Sequence, residues 1–258
     1  MQWNPERYEK FKSERSAPFD DLVQLVQARD SLRVIDLGCG TGELTRRLAD
    51  ALPGSDLLGI DSSAEMLTRA EEQARPGLRF ELRTIESVAG ESVAGEWDLL
   101  FSNAAIQWVD DHPSLVPRLL SLVRPGGQIV VQVPANHGHP TQVFIAELAG
   151  EEPFREALDG WVQRWPVLPV DAYAELLYAC GGREITIFEK VYPHVLDDAE
   201  ALAEWMSGTA LLPYFERLPE ELHGPFMDRY RERLRARWPS RPVFFGFRRI
   251  LFTATRAL

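Results

Sequence analysis

The chain has 258 residues, with 28 Lys plus Arg against 39 Asp plus Glu and a formal charge of −11. It therefore lacks in bulk the positive surface that holds phosphate backbones, and no nucleic-acid partner is expected. Its 45% hydrophobic and 26% charged content is ordinary for a soluble globular protein, and the length fits one large domain or a domain with an insertion.

In chain order, Asn4 can cap a helix that has Pro5 in its first turn, and Trp3 can staple onto Tyr8. Tyr8, Phe11 and Arg15 then share one face. Such a short amphipathic arm, within residues 1–30, either packs against the domain or serves as a lid over a ligand. Charges in MQWNPERYEK occupy the place where a signal peptide needs an apolar run, so the expected location is the cytoplasm.

Residues 31–134 alternate short apolar runs with helical patterns, which predicts a parallel sheet wound with helices. LRVIDLG (32–38) and DLLGID (56–61) read as buried strands. Between them Leu44, Leu48 and Leu52 line one helical face that Pro53-Gly54 closes. Ser62 with Glu65 makes a capping box for the next helix, which continues through Met66, Ala70 and Ala74. LRFELRT (78–84), WDLLFSNAAI (97–106) and GQIVVQVP (127–134) read as further strands, with SLVPRLLSLV (114–123) as the helix before the last. The uncharged stretch 125–146 is broken by Gly, Pro, Asn, His and Gln, so no membrane span is expected there.

Residues 135–258 differ in texture. Residues 140–170 form a helix-rich connection, and AYAELLYACGG (172–182) is a helix ended by two glycines. REITIFEKVYPHV (183–195) and FFGFRRILFTATR (244–256) read as strands that enclose a helical insert at 197–238. The sheet is thus completed after helical cap segments have been threaded in. Cys39 and Cys180 are the only cysteines, too few for a disulfide scaffold and without metal-ligand spacing, so no metal site is expected.

VIDLGCGTG (34–42) carries the most chemistry. Gly38, Gly40 and Gly42 follow a strand and precede a helix, which makes a turn where backbone can approach a ligand. Glu43 stands where a dinucleotide fingerprint wants Gly or Ala, and an acid beside a pyrophosphate is repulsive. Asp61 ends the second strand at about the 20-residue distance from which an acid accepts from ribose hydroxyls. It can also act simply as a helix-entry residue. Together the two features favour an adenosine ligand.

DLGCGTG (36–42), GID (59–61) and LVRPGGQIVV (122–131) resemble the class I S-adenosylmethionine-dependent methyltransferases. The resemblance implies an α/β, Rossmann-like, seven-stranded and mostly parallel sheet whose last strand is antiparallel. To this core, at 31–134, it adds an N-terminal helical lid and helical cap insertions. It also implies S-adenosyl-L-methionine as cofactor and S-adenosyl-L-homocysteine as product. Asp36, Gly38 and Gly40 would surround the methionine part of the cofactor, and Asp61 would hold the ribose. Ser62 and Met66 would lie against the adenine, with the Thr84-Ile85 turn along its edge. Asn103 and Ala104 would face the reactive methyl.

WNPERYEKFKSERSAP (3–18), FSNAAIQWVDDH (101–112), QVPANHGHPT (132–141), VYPHV (191–195), SGTALLPYF (207–215) and FGFRRILF (245–252) resemble, more narrowly, the trans-aconitate methyltransferase group. That group makes a monomethyl ester on a carboxylate of a small tricarboxylic acid. Leu212 departs from it, standing where members often have Arg. A carboxylate is already ionised at neutral pH, so no general base is expected and the barrier falls mainly through positioning. Arg249 is the first candidate to grip the acid, because its fork can donate two parallel bonds, whereas Arg248 points to the opposite face. His194 and Tyr192 share a face of one late strand, while Tyr214, Tyr8 and Arg15 are candidates from cap and lid. Gln107 and Trp108 could wall the methyl, or Trp108 could pack at a helix start. A small-molecule carboxylate is the expected partner, with no nucleic acid, no membrane and no obligate protein partner. The alternatives are a methyltransferase for another small acceptor or a non-catalytic protein that binds S-adenosylmethionine.

Overall fold

The computed structural model describes residues 12–90 and 95–258. The helix expected from Asn4, and with it Tyr8, lies outside the described residues, as does the side chain of Arg15. From helix α1 (Lys12–Gln24) the chain enters β1 (Arg33–Leu37), α2 (Glu43–Ala51), β2 (Asp56–Asp61), α3 (Ala64–Ala70), β3 (Leu78–Leu82) and α4 (Ile85–Ala89). It continues through β4 (Trp97–Asn103), α5 (His112–Leu122), β5 (Val123–Pro134), α6 (Pro140–Ala149), α7 (Phe154–Ala157) and α8 (Val170–Ala179). Then come β6 (Gly182–Leu196), α9 (Ala199–Ser207), α10 (Leu212–Phe215), α11 (Glu220–Arg237) and β7 (Val243–Arg256).

The seven strands form one sheet in the order β3-β2-β1-β4-β5-β7-β6. Pairing is parallel from β3 to β5, and β7 runs antiparallel to β5. The fold is thus the expected α/β, Rossmann-like sheet, with the last strand of the chain inserted between β5 and β6. β1 and β2 are near-continuous apolar runs, buried along almost their whole length, as strands covered on both faces must be. Because the chain goes from β1 outward to β3 and then returns to β4 on the other side, the C-terminal ends of β1 and β4 form a switch point, where open α/β sheets bind ligands.

The chain divides into two compact units. One is Ala17–Pro134 with Pro166–Lys190 and Arg249–Leu258, and the other is Ala135–Trp165 with Val191–Arg248. The core of the first gathers Phe19 and Leu22 of α1, Leu48 of α2, Phe101, Val130 and Leu251, with Leu44 packed against it. The core of the second is helical, built on Leu148, Phe154, Leu202, Tyr214, Phe226 and Tyr230. Tyr230 satisfies its buried hydroxyl by donating to the Thr141 carbonyl at 3.0 Å.

Two local details differ from the sequence reading. Ser63, and not Ser62, caps α3, its Oγ accepting from Met66 N at 3.3 Å. The cap moves on by one residue because Asp61 Oδ1 accepts from Ser63 N at 2.9 Å, an Asx turn that holds Ser62 outside the helix. β5 begins at Val123, where Trp97 pairs with Val123 before the register skips to Leu99 and Gln128. The Pro125-Gly126-Gly127 segment is therefore a bulge within a longer strand. No described helix is long and apolar enough to cross a membrane.

Candidate active site

β1 delivers the chain into the turn 38–42, which Ile60 of β2 anchors, its carbonyl accepting from both Gly38 N and Cys39 N at 2.9 Å. Gly38 has φ +75°, and a Cβ there would stand 2.2 Å from Ala105 Cβ, so no side chain is tolerated where the turn meets the exit of β4. Gly40 has φ +55° and nothing within 4 Å of where its Cβ would be. This is the open side of the turn, from which a ligand can reach the backbone. Asp61 Oδ2 accepts from Gly40 N at 2.9 Å. Since its other oxygen turns the chain into α3, Asp61 both enters the helix and ties down the loop.

The loop is negatively poised. Asp36 is 4% exposed, and Thr45 Oγ1 donates to its Oδ2 at 2.6 Å. Burial pushes its carboxyl up to about 7; the Thr45 bond opposes the rise and the charge of Asp61 adds to it. Burial first, then the charges of Asp36 and Asp61, drive the Cys39 thiol well above the ordinary range. The thiol therefore stays protonated and is no nucleophile. Two acidic side chains therefore meet at one open turn, and a cation beside them would favour the ionised form of Asp36.

S-Adenosylmethionine carries a sulfonium, an ammonium and a ribose diol, and these residues fit it. Asp36 would answer the positive charge, Asp61 would keep lone pairs for hydroxyls, and Gly40 has nothing within 4 Å of where its Cβ would be. Of the residues expected around the adenine, Ser62 is exposed, while Met66 and Ile85 are half-buried beyond the ends of β2 and β3. Thr84 caps α4 by accepting from Ser87 N at 3.1 Å.

A second polar group sits at the exit of β4. Ala104 adopts φ +55° without being glycine, a conformation that concentrates at functional sites. It is held by its own N–H donating to the Gln132 carbonyl at 2.9 Å and by its carbonyl accepting from Gln107 Nε2 at 2.7 Å. Asn103 Oδ1 and Gln107 Oε1 are buried acceptors without a hydrogen-bond partner among the described residues. Gln107 is buried, whereas Trp108 is 55% exposed. Arg249, 8% exposed, lies opposite Pro134 in the β5–β7 register, and its Nη1 donates to Gln132 Oε1 at 2.8 Å.

His112 anchors the far end of this loop. Its Nε2 lies 2.9 Å from the Ile106 carbonyl, so that nitrogen carries the proton and Nδ1 accepts from the Tyr173 hydroxyl. Burial lowers the His112 pKa, in keeping with a neutral ring. Tyr173→Phe is expected to leave Nδ1 unsatisfied in a site that is 0% exposed and to cost about 1–3 kcal/mol. A lower urea midpoint at an unchanged slope would report it, and an unchanged midpoint would contradict it.

Tyr192, His194 and Tyr214 belong to the helical unit. Tyr192 and His194 alternate inward along β6, 5% and 6% exposed. The His194 ring lies 4.9 Å from Trp205 and within 6.3 Å of Phe245 and Phe247. Tyr214 accepts from Gln163 N at 3.2 Å and meets the edge of Trp161. Sequence reasoning missed Thr45, which orients Asp36, and Gln132. Gln132 offered only an amide in a buried stretch of β5, a signal that it shares with Gln128.

The family described as Methyltransferase domain matches residues 28–158. The chain is 47% identical over 99% of its length, and 99% of the relative's, to the trans-aconitate 2-methyltransferase of Deinococcus radiodurans. It is 36% identical over the whole of both chains to the enzyme of that name in Rhizobium meliloti. Among solved structures it superposes on Haemonchus contortus phosphoethanolamine N-methyltransferase 2 with TM-score 0.58 and 16% identity, covering 96% of this chain and 53% of that one. Streptomyces coelicolor geranyl diphosphate C-methyltransferase gives 0.57 at 15% identity, covering 97% and 82%; at these identities the likeness is one of fold. The glycine turn, its two acids and the full-length relatives agree: the chain belongs to the class I S-adenosylmethionine-dependent methyltransferases.

Proposed function

We propose that the enzyme transfers a methyl group from S-adenosylmethionine to a carboxylate of trans-aconitate, or of a closely similar small tricarboxylate, giving a monomethyl ester. The full-length relatives of that name support the acid. The observation that carries the reading is Arg249, a guanidinium buried where β7 pairs with the end of β5 in a protein of charge −11. A tricarboxylate needs local positive charge that outweighs the overall field, and a buried Arg supplies it with a fork that matches a carboxylate.

When bound, S-adenosylmethionine would supply an electrophilic methyl on a sulfonium, and an acceptor carboxylate, already ionised at neutral pH, would need no group of the protein to take a proton. The residues of this chain have only to align and dehydrate the pair. Asp36 and Asp61 fix the cationic and ribose ends, while Asn103, Ala104 and Gln107 shape the wall beside the transfer. Arg249 holds the acid in this reading. Such positioning can contribute about 7–11 kcal/mol of barrier lowering. The acceptor is a small molecule, so neither nucleic acid nor an obligate protein partner is needed, and the free thiols Cys39 and Cys180 suit the cytoplasm.

A labelled-methyl assay across di- and tricarboxylates, with ester formation read by mass, tests the reading. Incorporation is expected to be greatest with trans-aconitate. Labelling of amines or phenols alone would overturn it.

A further inference from the structure

Gln128 and Gln132 lie four residues apart on β5 and so share a face, yet their surroundings differ. Gln128 is fully used: Oε1 accepts from Gln27 N at 2.9 Å, and Nε2 donates to the Leu25 carbonyl at 2.8 Å and to Thr253 Oγ1 at 2.7 Å. Gln132 is 0% exposed, and its Oε1 accepts from Arg249 Nη1 at 2.8 Å. Its Nε2 is buried without a hydrogen-bond partner among the described residues. The amide cannot be turned round to relieve this, because a guanidinium nitrogen only donates and must face the oxygen. A buried donor left unmade is costly, and folded proteins rarely keep one without a use. Gln132 stands opposite Asn103 in the β4–β5 register, at the exit of β4 where Ala104 holds its left-handed turn.

We propose that Gln132 is a positioning and carboxylate-binding residue: Oε1 fixes the plane of the Arg249 guanidinium, and Nε2 donates to the carboxylate that Arg249 grips. The proposal rests on the carboxylate reading above. Two donors of different charge converging on one carboxylate from adjacent strands specify its direction, which a lone flexible cation does not.

The test uses Gln132→Met, which keeps length and removes both polar atoms, and Gln132→Glu, which keeps the acceptor and adds a negative charge. For Gln132→Met, KM for trans-aconitate is expected to rise about ten- to hundredfold, the worth of a hydrogen bond to a charged group, while the Kd of S-adenosylhomocysteine stays within about twofold. Gln132→Glu is expected to raise the same KM more, by pairing with Arg249 and repelling the acid. In an Arg249→Ala background, Gln132→Met is expected to have less than about threefold further effect, since both groups serve one carboxylate.

Acid KM unchanged in Gln132→Met, or Gln132→Met and Arg249→Ala acting additively, would overturn the assignment, as would an equal rise in the Kd of S-adenosylhomocysteine. Should the Met variant not fold, the Gln132→Glu variant decides, because a merely structural amide would not give a KM that improves as pH falls and the introduced carboxylate is protonated. A wild-type enzyme that makes no ester from any tricarboxylate would overturn the carboxylate reading itself. Gln132→Met without effect beside a crippled Arg249→Ala would overturn only the role of Gln132.

Discussion

Replacing Arg249 by Ala is expected to raise KM for the tricarboxylate on the order of a hundredfold, leaving the Kd of S-adenosylhomocysteine within about twofold. Truncating one partner of a buried, hydrogen-bonded charge pair typically costs about 2–5 kcal/mol, because the other charge is left in a poorly solvated place. Arg249 is 8% exposed, and Gln132 Oε1 orients it at 2.8 Å, so its fork is already set before the acid arrives. Arg249→Lys is expected to recover only part of the loss, because an ammonium keeps the charge and not the paired geometry. Steady-state kinetics with each substrate varied in turn, and calorimetry with S-adenosylhomocysteine as control for folding, give both numbers. Equal losses for acid and cofactor would remove Arg249 from the acid site.

The strands that carry the fold were legible because parallel strands buried on both faces must be continuously apolar. DLLGID coincides with β2, and LRVIDLG contains β1. The glycine turn was legible because φ is +75° at Gly38 and +55° at Gly40, and Ala105 stands where a Cβ on Gly38 would be, so the turn favours glycine. Details decided by single hydrogen bonds were not. Ser62 and Ser63 are equal candidates for a cap until Asp61 Oδ1 takes Ser63 N. The bulge in β5 reads as a turn, because Pro-Gly-Gly signals one and the pairing partner that keeps it in the sheet lies in β4. Gln132 was invisible as a site residue because an amide in a buried strand has two outcomes. Gln128 exemplifies the satisfied one, and only the partners in the segment after α1 and on β7 tell them apart.

The pH dependence of cofactor binding is expected to rest on Asp36. Its carboxyl is pushed up to about 7 by burial, with Asp61 adding and the Thr45 bond opposing, against about 3.9 in an unfolded chain. Between those values the folded protein holds a proton that the unfolded chain has lost. The stability of the cofactor-free protein therefore falls as pH rises from about 4 to 7 and then levels, a cost on the order of 4 kcal/mol above pH 7. A cationic cofactor reverses the preference. Beside Asp36 it would favour the ionised carboxylate, so binding is expected to release a proton near neutrality, and the Kd of S-adenosylmethionine should be about tenfold weaker at pH 6 than at pH 8. Asp36→Asn can still accept from Thr45 and has no charge to lose. It is expected to raise the cofactor-free melting temperature at pH 8, to flatten the pH dependence of Kd, and to weaken cofactor binding at pH 8 by about ten- to hundredfold. Calorimetry in buffers of different ionisation enthalpy measures the released proton directly. If the Asn variant keeps the wild-type slope of Kd with pH, the titrating group is elsewhere, and Asp36 is then a structural acid that the cofactor does not sense.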